Sequence, residues 1–328
     1  MIVLAAALLA AADALTPISL PGAQSGAGFD DLRFSPELHK VLAPGGRSGR
    51  LYLVDPKTHV AEAIAGFSGS TEGGRGHSEG TTSAEAGEGV IFASDRTARA
   101  LVAVDPAAKR IVARVGLGAV PDYVRWVPPL REVWVSEPGA KRIETFRVEG
   151  SAPPKFTPAG TIEVADGPES LEIDVRRRRA YANTWHDTTV AIDLGSRAIA
   201  ARWTNGCAGA RGLTLDVARG LAFVGCQEGK AVALDLEQGK VLGTAPAGKG
   251  VDVIAFAEKL SHLYVPGAEA ATLTVVGVGA RGELTVLGTV ATAHDAHCVT
   301  ADDGGSAYVC DPEKGRLLLF RDPYPASR

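Results

Sequence analysis

Short apolar or alternating runs, separated by Gly, Pro and Asp, follow one another from about residue 28 almost to the C-terminus. Alternation places successive side chains on opposite faces of a strand. Almost no segment carries the three-and-four spacing that an amphipathic helix needs. The pattern predicts an all-β chain of many short strands.

One unit recurs: a strand ending in a small or polar pair, a turn, a second strand, then Asp and another turn. It reads VWVSEPGAKRIETFRV from Val133, AYANTWHDTTVAIDL from Ala180, AFVGCQEGKAVALDL from Ala222 and LYVPGAEAATLTVV from Leu263. Partial copies are VIFASDRTARALVAVDP from Val90 and AYVCDPEKGRLLLF from Ala307. Asp55, Asp105, Asp193 and Asp235 hold the turn after the third strand, two of them before Pro. Asp bonds the backbone two residues on, and Pro presets φ at the next position.

A polar residue also marks the start of each innermost strand, about eleven residues before the next strand. These markers are Asp31, Glu79, Asp122, Glu169, Arg211, Asp252 and His297, at intervals of 41 to 48 residues. Seven copies of that period predict a seven-bladed β-propeller of four-stranded antiparallel blades. Residues 15–328 form one domain, with blades starting near 28, 77, 120, 167, 208, 250 and 295. The last blade runs out of chain after Phe320 with three strands, so residues 15–20 are expected to complete it and close the ring.

The repeat copies resemble the YVTN family of β-propeller repeats, through strands such as AYANTW and LYVPG followed by a T-V-x-V-I-D-like strand. The likeness covers nearly the whole chain after its first residues. It implies the propeller fold and no single activity, since that family is functionally mixed.

Composition adds limits. Of 328 residues 45% are hydrophobic and 22% charged, ordinary for a globular domain with ample core. A formal charge of −4 gives no electrostatic reason to expect nucleic acid. The arginine run 176–179 reads as a solvated strand turn. Residues 1–12 are MIVLAAALLAAA, and Ala12-Asp13-Ala14 has the small-x-small form of a cleavage site. That reading makes 1–14 a signal peptide and the mature chain a periplasmic or extracellular monomer with no transmembrane segment. The run is too short to span a bilayer.

The seven markers would place five acids, one cation and one imidazole at one channel opening. Carboxylates held close either rise in pKa or gather a cation, and an acidic funnel attracts cationic ligands. The other reading is a wet rim that merely partners strand ends. Trp185, His186 and Tyr123 are expected on or near the same face, as pocket walls or as packing.

Four cysteines fall into two local pairs, Cys207 with Cys226 and Cys298 with Cys310. Each pair brackets a hairpin, which in an exported chain predicts two disulfides. A second reading joins His294, His297, Cys298 and Cys310 in a zinc or copper site.

Catalytic motifs are weak. Gly76-His77-Ser78-Glu79-Gly80 matches G-x-S-x-G but lacks the strand-to-helix turn of a nucleophile elbow. Neither C-x-x-C-H nor H-E-x-x-H occurs. Sugar-lactonase propellers use Asn ligands, and Asn183 and Asn205 fall off the marker positions.

Three functions remain. The favoured one is a non-catalytic exported propeller, without cofactor, that binds a protein or small-molecule ligand at the channel face. The alternative is a divalent-metal hydrolase or lyase, with Glu79, Glu169, Asp122 and Asp252 as ligands and His297 as base. The third is a redox or metal-handling protein using the last blade's His and Cys.

Overall fold

The computed structural model describes residues 15–70, 78–150 and 153–327. The leader reading on 1–14, and Gly76 and His77 of the G-x-S-x-G match, lie outside the described residues. Seven four-stranded antiparallel sheets follow one another, each formed by consecutive strands except the last. In that blade strand Thr16–Ser19 pairs with Arg316–Arg321, with Thr16 opposite Leu319 and Ile18 opposite Leu317. The first strand therefore closes the ring, as the chain pattern predicts.

Hydrophobic clusters lie between blades rather than within one. Val127, Trp134 and Ile143 of blade three pack on Ala180, Val190 and Ile192 of blade four. At the seam Ile18 packs with Phe29, Tyr52, Tyr308 and Leu319. Outer strands are half exposed, as in Ile199–Thr204, whose side chains alternate partly buried and exposed. Among the described residues, helix is confined to two three-residue 3-10 turns, Pro128–Leu130 and Pro138–Ala140.

The Asp turns form as expected. Asp55 Oδ1 accepts the N–H groups of Lys57 and Thr58 at 2.9 and 3.0 Å. Asp105, Asp193 and Asp235 do the same for the residues two and three further on. These bonds stabilise the ionised form, and Asp193 is lowered to about 2, first by the Ser196 N–H. The turn after Asp235 ends on Gly239 at φ 68°. A Cβ there would collide with the Trp203 ring, so glycine serves both the left-handed backbone and the close approach.

Ile18 is 3% exposed while Thr16 faces solvent. Ile18→Ala is expected to destabilise the fold by about 2–5 kcal/mol. Thr16→Ala should stay within about 0.5 kcal/mol. Urea denaturation of the two variants checks this.

Candidate functional site

Inner strands line the channel, and their ladders set which side chains share a level. Asp122 N–H donates to Ser136 O at 2.8 Å, Glu169 N–H to Asn183 O at 2.9 Å, and Cys310 N–H to Cys298 O at 3.0 Å. Counting along the ladders from these bonds puts Asp30, Thr82, Asp122, Glu169, Arg211, Asp252 and His297 on one tier at the mouth.

Five of the seven markers therefore stand where expected, and two do not. Asp31 lies one residue deeper, where its carboxylate binds Arg125 at 2.6 and 3.1 Å and Ser83 Oγ at 2.6 Å. A slip of one residue reverses the facing of a strand side chain, so Asp30 takes the mouth position. Glu79 lies three residues before Thr82, half-buried in the loop that enters blade two.

Burial first, and repulsion behind it, raises the acids of the mouth. Asp30 is 4% exposed, and its pKa is raised well above the ordinary value by burial and then by Asp252. Glu169 is pushed up to about 10 by burial, Asp122 and Asp252. Two cations offset part of this. Arg96 Nη1 lies 2.5 Å from Asp122, and Arg211 Nε lies 3.6 Å from Glu169. Arg211 also stacks over the Trp185 ring at 4.7 Å and donates to Gln227 Oε1 at 2.7 Å. Trp185 is 43% exposed, so its ring walls the rim rather than filling a core. The His186 side chain is exposed, and its carbonyl accepts the Ala210 N–H at 2.6 Å.

Arg211 sits where the blade-five ladder slips between Ala210 and Leu213. Gly212 beside it has a structural task. Its N–H donates to Asp252 O at 3.0 Å, and a Cβ would strike that carbonyl. This contact fixes blade six, and with it Asp252, against blade five.

A cavity of about 830 Å³ opens beside this tier, lined by Arg211, Gln227, Asp252, Glu269, His294 and His297 among others. Three residues below the mouth tier lies a second set that the marker pattern does not reveal. Arg33 Nε meets Glu85 at 2.6 Å and its Nη1 meets Glu172 at 2.8 Å. Arg125, only 1% exposed, joins Glu172 at 3.0 Å and Asp31 at 2.6 Å. A sequence signal for them exists: charged residues inside inner strands that are otherwise apolar. They also border a cavity of about 430 Å³ that includes Phe256, Lys259 and Asp302.

The cysteines divide. Cys207 and Cys226 form a disulfide with Cα atoms 5.3 Å apart, tying the approach of blade five's inner strand to the end of its second strand. The expected Cys298–Cys310 disulfide is not formed, and both remain buried thiols. Burial alone would raise the Cys310 thiol, yet hydrogen bonds from Cys298 and the His297 charge bring it down to about 7. His297, disfavoured as a cation by burial, is pushed up to about 9 by Cys310 and Asp252. The grouping of His294 with these residues also fails. Its exposed ring lies 3.3 Å from Asp295 and 3.6 Å from Glu313.

With this geometry the protein class is defined: a seven-bladed β-propeller with a charged channel. No family model and no curated protein matches the sequence. Solved structures do match over nearly the whole chain. A chain of a mitotic checkpoint complex aligns with TM-score 0.78 and 12% identity, covering 98% of this chain and 95% of its own. A chain of Kuenenia stuttgartiensis hydrazine synthase aligns at 0.73 and 13%, covering 92% and 96%. The Cps50 (Swd1) propeller domain of Myceliophteria thermophila aligns at 0.71 and 11%, covering 94% and 99%. Identities this low establish likeness of fold alone.

Two outcomes follow from the channel charges. Removing Arg125 as Arg125→Ala leaves buried carboxylates uncompensated and is expected to cost about 3–5 kcal/mol in chemical denaturation. Glu169 has a folded pKa of about 10 against an ordinary 4.5. Its contribution is thus present below the unfolded value and is lost as pH rises toward the folded one. Glu169→Gln should flatten the fall in stability between about pH 5 and about pH 9, read from melting temperatures across that range.

Proposed function

We propose that this chain is a non-catalytic exported propeller that binds a ligand or partner protein through a cationic group at the channel mouth. One observation carries the reading: the buried carboxyls of Asp30 and Glu169 gather with the half-buried Asp252, which repels both, beside an open cleft that Asp252 lines. An incoming ammonium or guanidinium group would relieve that repulsion. It would also stack with Trp185, where Arg211 now lies.

Several facts support the wider reading. The Cys207–Cys226 disulfide suits an oxidising compartment outside the cytoplasm. Among the described residues, no helix is long and apolar enough to cross a membrane. The repeat pattern supports placing the blades with the YVTN propellers. A propeller-like chain within the mitotic checkpoint complex illustrates the fold in an assembly, whereas the hydrazine synthase chain belongs to a synthase. Fold therefore does not choose between scaffold and enzyme, and the site must.

The hydrolase alternative has weaker support. Groups of three potential ligands with donor atoms within 4.8 Å are cysteine-centred among the described residues, and the mouth carboxylates form none. Their spacing suits a group larger than a bare ion.

Calorimetric titration with spermidine and with an Arg-bearing tripeptide tests the reading. Micromolar to millimolar binding is expected, weakened by salt. Asp30→Asn with Asp252→Asn should lose at least about tenfold, or about 1.4 kcal/mol. At about pH 8 binding should release protons, because Glu169 holds one to about 10 in the free chain. Binding unchanged by the double variant, or none for either probe, would sink the proposal.

A further inference from the structure

We infer that the last blade contains a thiophilic metal site, in which Cys298, Cys310 and His297 hold one d10 cation, Cu(I) or Zn(II). The donor atoms of these three residues all lie within 4.8 Å of one another. The fold brings them together by pairing. Cys298 precedes the inner strand Val299–Ala301, Cys310 lies in the adjacent strand Ser306–Asp311, and Val299 faces Val309 in the ladder. Cys310 N–H donates to Cys298 O at 3.0 Å, and Cys298 N–H donates to Cys310 Sγ at 3.1 Å. Both sulfurs are wholly buried, which protects a bound soft cation from water.

Ligand chemistry and size agree. Thiolates with an imidazole are a donor set for Cu(I) and zinc. Metal–donor lengths of about 2.0–2.3 Å put donors about 3.3–4.0 Å apart, so the cluster needs only a small contraction. His297 now uses both ring nitrogens, on Asp295 O at 2.6 Å and Phe29 O at 2.8 Å. Ligation frees one of them. Metal-bound histidines ordinarily keep a carbonyl on the other nitrogen, which fixes the ring. The Asp295 carbonyl belongs to an exposed turn residue and can turn to water, whereas Phe29 is fully buried. Entry runs through the cleft that His297 and Asp252 line. The other cysteine-centred group, Cys207, Cys226 and Glu228, is closed to metal because its sulfurs are joined.

The two ions differ in what they need. Cu(I) is satisfied by three donors, while zinc seeks a fourth. Asp252 lines the same cleft as His297 and is the carboxylate offered for that place, so Asp252→Asn should weaken zinc binding and leave Cu(I) unchanged.

The test uses the full chain purified anaerobically without added reductant. A thiol titration after denaturation should find two free thiols. Separate titrations with Cu(I) and with Zn(II), each against a chromophoric chelator, should show one equivalent of at least one ion. Cys298→Ser and Cys310→Ser should each weaken it at least about 100-fold, above the roughly 10–100-fold that losing an outer-shell partner costs. Should either variant not fold, alkylation of the wild-type thiols decides, and bound metal is expected to slow it. Absence of free thiols, no bound equivalent of either ion, retained binding in a folded Cys310→Ser chain, or alkylation indifferent to metal would each overturn the inference.

Discussion

Blades one to four are joined across the channel by the charges of Arg33, Glu85, Arg125, Glu172 and Asp31. Arg125 is the keystone of that set, because its guanidinium is nearly inaccessible and reaches carboxylates from two other blades. Burial of such a group costs several kcal/mol unless every charge is answered. The geometry answers it: Arg125 spends Nη1 and Nη2 on Asp31, and Nε and Nη2 on Glu172. Blade positions are consequently set from the axis as well as from the apolar seams between sheets.

This lower tier explains the character of the upper one. Asp31 is consumed by Arg125, so the acid left at the mouth in blade one is Asp30, with no guanidinium bonded to it among the described residues. Asp122 and Glu169 have arginines at hand, but these come from the rim, where Arg96 and Arg211 are partly open to solvent. Directly bonded charge below and loosely partnered charge above divide the channel into a structural part and a receptive part. The Cys310–His297 pair lies at the border, taking its polarity from the mouth acids and its dryness from the blade seam.

Much of the architecture could be read from residues because its causes are local. The Asp turns after the third strands depend on one side chain and two N–H groups, and those signals recur at nearly constant spacing. Facing was harder. Blade one offers two adjacent acids, and the pattern cannot say which of Asp30 and Asp31 faces the mouth without the ladder. Blade two makes its inner hairpin with only Glu88 and Gly89 between Gly87 and Val90, where blade three uses four residues, 128–131. That shorter hairpin supplies two of the three residues by which a fixed count of eleven overshoots to Glu79, and the third arises because Val90 stands at the level of Glu132 rather than Val133. The proximity of Cys298, Cys310 and His297 was legible in the sequence, but not the choice between a disulfide and two free thiols, nor the separation of His294 from the group, which depend on three-dimensional packing.

The closing strand has a consequence for how the molecule comes into being. Thr16–Ser19 is synthesised roughly 300 residues ahead of its partner Arg316–Arg321. Until the two meet, the outer edge of the last blade offers unpaired amides and carbonyls to any other extended chain. Ring closure is thus the most distant strand pairing among the described residues, and contacts of that kind are slow to form because loop entropy must be overcome first. The nascent protein spends its synthesis as an open arc whose last blade stays receptive to the wrong strand. Its main hazard on the way to the native state is intermolecular strand exchange rather than collapse of any one blade.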